Sequence, residues 1–259
     1  PRITRHAIMK QNIGVARGWN IGLDMAESET VFILNADAHI RAEAVAALED
    51  GLKNLPLAAC VGPQGAFVDF PLCRDYCYYD KGSFDQPMEV DAVSGFFFAI
   101  NRKLFNENGL QFENGFTPCY FEEWDLGLQI RKAGLKNYIV PTTAYEHHWS
   151  GTIAALRTIP YMGKDEKAGD ILLRNRQLFL AKWRHVARIN GRPELLESIL
   201  KDELMQKCRL ALGSGNMDAA RETAEELYRH FPDDPKACAY VRMAVFQGMK
   251  AQAGNEEAR

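Results

Sequence analysis

The apolar positions fall into two textures along the chain. From the start to about residue 187, short apolar runs alternate with stretches in which apolar residues recur every three or four positions. Val31-Phe32-Ile33-Leu34 suits a strand buried on both faces. Across 41–54, Ala44, Val45, Leu48 and Leu52 keep helical spacing. Leu57 to Val61 is a second short run, ended by Gly62-Pro63. Val90 to Ile100 is the longest strand predicted, with Gly95 inside it. Leu126, Ile130 and Ala133 mark a helix that stops at Gly134. Asn137 to Val140 is a last strand before Pro141, and Asp165 to Lys182 reads as a helix bearing Arg174-Asn175-Arg176. Strands alternating with helices predict an α/β domain, here with a mixed, mostly parallel sheet flanked by helices.

After Gly191-Arg192-Pro193 the pattern is helical only. Three stripes follow: Leu196, Leu200, Leu204, Cys208 and Ala211; then Ala220, Ala224, Leu227 and Phe231; then Ala237, Val241, Ala244 and Gly248. The expected division is therefore 1–190 for the α/β domain and 191–259 for a small all-α appendage.

Composition changes this picture little. The 259 residues carry 31 basic and 34 acidic side chains, a net charge of -3, which gives no electrostatic case for nucleic acid. No apolar run approaches the roughly 20 residues that span a bilayer, so no transmembrane segment is expected. The six cysteines are scattered without a C-x-x-C pair, the pattern of reduced thiols in a cytoplasmic protein. Pro1 in place of an initiator Met predicts a longer natural chain.

Four segments suggest chemistry. Asn35-Ala36-Asp37 directly follows the first strand, where open α/β sheets bind ligands. Asp37 is placed there to hold a hard divalent cation, and Asn35 to add an oxygen ligand or bond a ribose. The same residue types also favour plain strand-to-helix turns. Asn12-x-Gly14-x-x-Arg17-Gly18-x-Asn20-x-Gly22 offers small residues for close approach of a phosphate, with charge from Arg17. Glu122-Glu123-Trp124-Asp125 opens a helix, where acids are stabilising in any case. Helical spacing puts Glu122, Asp125, Gln129 and Lys132 on a polar stripe. Glu123 instead lies in line with Leu126, Ile130 and Ala133. Partial burial there raises the basicity of a carboxylate, as a general base requires. Finally His147-His148 follows the last strand, and imidazole suits a divalent metal completed by carboxylate and phosphate oxygens.

Taken in order, these segments resemble family 2 glycosyltransferases of the GT-A fold, in the branch of rhamnosyl- and related transferases. Asn12 to Gly22 is similar to that branch's N-x-G-x-x-x-G-x-N-x-G loop. Val31 to Asp37 is similar to its strand and N-P-D form of the DxD motif, and Val90 to Gly95 to its acceptor-side strand. Phe121 to Gly134 is similar to its F-E-D-x-D-L…R-x-x-x-G helix, and Pro141 to His147 to its P-x-x-x-x-x-H histidine. The resemblance covers about residues 10 to 185.

It implies an inverting glycosyltransferase using a nucleotide-sugar donor and Mn2+ or Mg2+, acting on a glycan or protein acceptor. Asp37 and His147 would bind the metal. Asn12, Arg17, Asn20, Asn35 and Asp37 would lie along the donor. Glu123 and Asp125 would be the catalytic carboxylates, with Glu123 as base. Three departures stand out: Glu123 where the family has Asp, Asn35 where a strict DxD has an acid, and no opening strand ahead of Asn12. The first and the last favour, as an alternative, an inactive glycosyltransferase-like module that binds partners, against which Asn35, Asp37 and His147 argue. A nucleotidyltransferase of similar topology is the third reading. The tail resembles one tetratricopeptide helix pair at Gly215 to Pro235, which implies a helical appendage or a docking surface for a protein partner. The resemblance also implies a position peripheral to a membrane.

Overall fold

The computed structural model describes residues 3, 5–70, 73–147, 158–183 and 193–245. The chain divides into two compact units, Pro1–Ile189 and Asn190–Arg259. His148, Gly191-Arg192 and Gly248, singled out in the sequence, lie outside the described residues.

The first unit opens with helix α1 (Val15–Met25), so most of the glycine-bearing stretch from Asn12 to Gly22 is helix rather than loop. Gly14 precedes it at φ 89°, and a Cβ there would lie 3.1 Å from Pro118 Cα and O. This close approach lets Val15 N–H bond the Pro118 carbonyl at 2.8 Å. Strand β1 (Thr30–Leu34) and the short β2 (Ala38–Ile40) lead to α2 (Ala42–Asn54), then β3 (Ala58–Gly62), β4 (Gly65–Asp69) and β5 (Arg74–Tyr79). The long run expected from Val90 to Ile100 is broken into β6 (Met88–Val90), β7 (Ala92–Val93) and β8 (Phe97–Asn101). There follow α3 (Arg102–Glu107), α4 (Glu122–Lys132), β9 (Lys136–Ile139), β10 (Tyr145–His147), a β11 (Thr158–Tyr161) and β12 (Lys164–Lys167) hairpin, and α5 (Ala168–Lys182).

The main sheet has the order β1-β8-β3-β9-β6. Among the described residues only β3 and β9 pair in parallel; β8 runs against both β1 and β3, and β6 against β9. The expectation of a mostly parallel sheet is therefore corrected: the sheet is mixed and mostly antiparallel. The cause is local. The 90–100 segment changes sheet, β7 pairing with β4 while β8 turns back to insert between β1 and β3.

One core cluster gathers α2 residues Ala44, Leu48 and Leu52 with Val61, Phe97, Ala99 and Val140. A second joins Val68, Phe70 and Ala92 to Phe121 and Leu128 of the α4 region and to Phe179 and Trp183. Gly127 lets α4 press onto β7, since any Cβ there would collide with the Asp91 carbonyl. Asp91 is buried, accepts the Val68 N–H at 2.9 Å and pairs with Arg131, which locks α4 to the strand pair. The polar stripe expected on α4 is not solvated: Glu122 and Asp125 are buried, and of its four members only Lys132 is exposed.

In the second unit, α6 (Pro193–Gly213) and α7 (Met217–His230) are joined by a turn with Gly215 at φ 73°, and residues 235–245 are helical. Asn216 caps α7 by accepting the Ala219 N–H at 3.2 Å. The small side chains Cys208, Ala220, Ala224 and Ala244 pack together, which brings the helices close.

Candidate functional site

Three segments meet around residues 94–96, where the chain passes from β7 to β8. The first is the turn between β1 and β2. Asn35 N–H bonds the Phe96 carbonyl at 2.8 Å, which fixes the start of the turn that ends in Asp37. The second is β10, paired with β2 so that His147 lies opposite Ala38. This register brings His147 Nε2 to 3.6 Å from Asp37 Oδ1, with His147 nearly buried and Asp37 about two-fifths exposed. The sequence contained both residues, and the structure joins them through a two-stranded pairing that no periodicity announced.

The third segment is the N-terminus of α4. Its approach is strained. Tyr120 and Phe121 adopt φ of 81° and 79°, conformations that bulky residues rarely hold and that cost about 1–3 kcal/mol each. Helix α5 holds them. Asn175 is buried and donates to the Cys119 carbonyl at 2.9 Å and the Tyr120 carbonyl at 3.4 Å, while Arg174 donates to the Thr117 carbonyl and pairs with Glu166 at 2.6 Å. Arg174 and Asn175 therefore brace this loop.

That loop presents Glu122 and Glu123. The Glu123 carboxylate folds back over Gly95 and accepts its backbone N–H; burial pushes its pKa up, and that hydrogen bond partly offsets the rise. The Trp19 ring closes the other side, with Cη2 placed 2.8 Å from where a Gly95 Cβ would stand. Trp19 is itself fixed edge-on to Phe98 and Phe112 at 5.4 and 4.8 Å. Gly95→Ala is therefore expected to displace the Glu123 carboxylate. A melting midpoint lowered in calorimetry, by the roughly 1–3 kcal/mol that overpacking costs, is the expected result, because the packed Trp19 ring must shift as well.

Glu122 is 2% exposed, and its Oε1 has no hydrogen-bond partner among the described residues. Burial first, and the neighbouring Glu123 charge second, hold its pKa well above the usual carboxylate range. A raised folded pKa means that folding favours the protonated form. The stability this contributes is full below the ordinary glutamate value near about 4.3 and is lost as pH rises through the raised folded value. Glu122→Gln is expected to remove that loss, leaving a variant more stable than the native chain at neutral pH in denaturant titrations run at both ends of this window.

The remaining expected site residues are engaged elsewhere. Asn12 accepts the Gly14 N–H at 2.9 Å and donates to the Pro160 carbonyl at 2.9 Å. Arg17 donates to Tyr161 Oη at 2.6 Å. Asn20 clamps the chain at Phe112, donating to its carbonyl at 2.7 Å and accepting its N–H at 3.0 Å. These contacts tie α1 to β11 and to the 112–114 segment rather than to Asp37 or His147. Asp125, fully buried, accepts from Trp183 Nε1 at 2.7 Å and Gln129 Nε2 at 2.7 Å, and pairs with Lys182 at 2.9 Å. Its carboxylate therefore serves the packing of α4 on α5, whereas Glu123 serves the 94–96 segment. Gly95, Phe96 and Trp19 were not singled out as site residues. A glycine inside a strand pattern does signal close approach, but nothing local marks the two aromatics.

Among the described residues no cluster of three or more His, Cys, Asp or Glu is arranged around one metal position. Asp37 and His147 nevertheless fit a shared cation. Their donor atoms stand 3.6 Å apart, a separation compatible with bonds of about 2.0–2.2 Å to one ion. A single carboxylate, with phosphate and water completing the shell, is enough for Mg2+ on nucleotide phosphates, and the imidazole adds a ligand suited to divalent transition metals.

No family model matches the chain, and no curated protein matches it. Among solved structures, the chain is similar to GalNAc-T7 in its crystal structure with UDP, GalNAc and Mn2+, at a TM-score of 0.50 and 16% identity, over 73% of this chain and 38% of that one. The fold is therefore α/β of the GT-A type, with a helical C-terminal region. The chain spans well under half the length of that protein. No helix among the described residues is long and apolar enough to cross a membrane.

Proposed function

We propose that the chain is the catalytic part of a divalent-metal glycosyltransferase that moves a sugar from a nucleotide-sugar donor to an acceptor hydroxyl with inversion, in the manner of family 2. The observation that supports this best is the convergence on residues 94–96. A desolvated glutamate, Glu123, rests on Gly95, and a carboxylate–imidazole pair, Asp37 and His147, is fixed through Phe96.

In this reading Glu123 takes the proton of the acceptor hydroxyl while that oxygen attacks the anomeric carbon. A single displacement inverts the configuration. The raised pKa of Glu123 gives a stronger base than an ordinary carboxylate. Gly95 N–H and the Trp19 ring hold its carboxylate in place and limit its contact with water. Asp37 and His147 would hold Mn2+ or Mg2+, which when bound neutralises charge on the departing diphosphate. Asn35 lies two residues from Asp37, on the donor side. Residues 1–190 form the catalytic domain in this reading, and 191–259 a tetratricopeptide-like appendage for a protein partner. A cytoplasmic location and a glycan or protein acceptor complete the proposal.

The test is a panel of nucleotide sugars incubated with the full chain and Mn2+, with the product anomer read by NMR. Metal-dependent transfer with inverted configuration is the expected outcome. Transfer with retained configuration would remove the role assigned to Glu123.

A further inference from the structure

Two ligands and a base are useful only if something aligns them before a cation arrives, and one residue touches both ligand-bearing segments. The Phe96 ring is 2% exposed and stacks flat on His147, with centroids 4.2 Å apart and planes 8° from parallel. The Phe96 carbonyl accepts the Asn35 N–H at 2.8 Å, two residues before Asp37. The Tyr145 ring, on the strand that carries His147, packs at 5.5 Å from the same phenyl group. The second torsion of histidine is broad and shallow by itself, so an imidazole at a strand end needs a neighbour to choose its plane. Here the phenyl face does so.

We propose that Phe96 is the positioning residue of the cation site. Its ring sets the plane of the His147 imidazole and its backbone sets the turn that carries Asp37, so that Nε2 and Oδ1 stand 3.6 Å apart. This rests on the reading of Asp37 and His147 as metal ligands given above. It assigns Phe96 more than the filling of the core to which the ring also belongs. The two roles separate experimentally, because a core filler affects stability and leaves metal affinity alone.

The experiment is a Mn2+ titration of the full chain with UDP present, followed by the paramagnetic resonance of free Mn2+. The native chain is compared with Phe96→Leu and Phe96→Met, which keep apolar volume without a flat face, and with His147→Ala. Partners that orient a metal ligand commonly contribute 10–100-fold in affinity. Weakening by at least 10-fold in both Phe96 variants is expected, approaching the loss in His147→Ala. In the metal-free chain, the His147 ring protons are expected to shift downfield in NMR spectra of both variants as the phenyl ring current is lost. Native affinity in both variants, or His147 resonances that do not move, would overturn the assignment of Phe96 while leaving the proposed function standing. Absence of saturable Mn2+ binding by the native chain would overturn the metal-dependent function and this assignment together.

Discussion

Glu123→Gln is expected to lower transfer by about 10²–10⁴-fold, the usual contribution of a general base, with the fold unchanged. Gln has nearly the same shape and still accepts the Gly95 N–H through its carbonyl oxygen, but it cannot take a proton. The sign of the stability change goes the other way. Burial is the main cause of the raised Glu123 pKa. The folded chain therefore favours the neutral form, and Gln reproduces that form at every pH. A variant at least as stable as the native chain at neutral pH, and catalytically dead, is the expected pair of results. On the proposed function, kcat/KM of the native chain should climb as pH rises through the raised Glu123 pKa, because only the ionised carboxylate is a base. The Glu123 carboxylate lies over Gly95, where the missing Cβ leaves room for it.

Asp125→Ala is expected to do the reverse, lowering stability by about 3 kcal/mol while leaving kcat within a few-fold of native. Removing one partner of a buried pair typically costs about 3–5 kcal/mol. The lower end applies because Lys182 is 31% exposed and regains water. Trp183 Nε1, buried in the second core cluster, loses its acceptor. The burial of Asp125 pushes its pKa up even though Lys182, Trp183 and Gln129 all favour the ionised form, so desolvation outweighs the partners at the carboxylate. In a unit of this size such a loss lowers the unfolding midpoint by about 6–12 °C, which scanning calorimetry resolves easily. A kcat loss for Asp125→Ala as deep as that for Glu123→Gln would instead restore the catalytic role the sequence suggested for this residue.

The contrast between these two carboxylates shows what was legible in the sequence. Helical spacing separated Glu123 from its neighbours, and Glu123 does meet the 94–96 segment as a half-buried acid. The same spacing put Glu122 and Asp125 on one polar stripe and gave no sign that the stripe is buried. It failed there because α5 and the 111–121 segment cover that side of α4, and a covering element more than 40 residues away leaves no mark on local periodicity. The strands at 30–34 and 58–62 were legible because each is a short apolar run with a clear stop, and the one at 136–139 because Tyr138, Ile139 and Val140 run into Pro141. The 90–100 run misled, because mostly apolar residues around Asp91, Ser94 and Gly95 read as one strand while its parts belong to two sheets. Asn12, Arg17 and Asn20 have the chemistry of a phosphate cradle, yet their hydrogen bonds fasten α1 to its surroundings. The proximity of His147 to Asp37 depends on the β2–β10 pairing, across more than 100 residues of sequence.

The most direct test is turnover of the full chain on a nucleotide-sugar panel with Mn2+, beside Asp37→Ala and Glu123→Gln. Metal-dependent turnover of at least one donor, lost in both variants while both remain folded, is the expected result. No turnover of any donor, together with no metal-dependent nucleotide binding, would contradict the catalytic account and leave the fold as a partner-binding module.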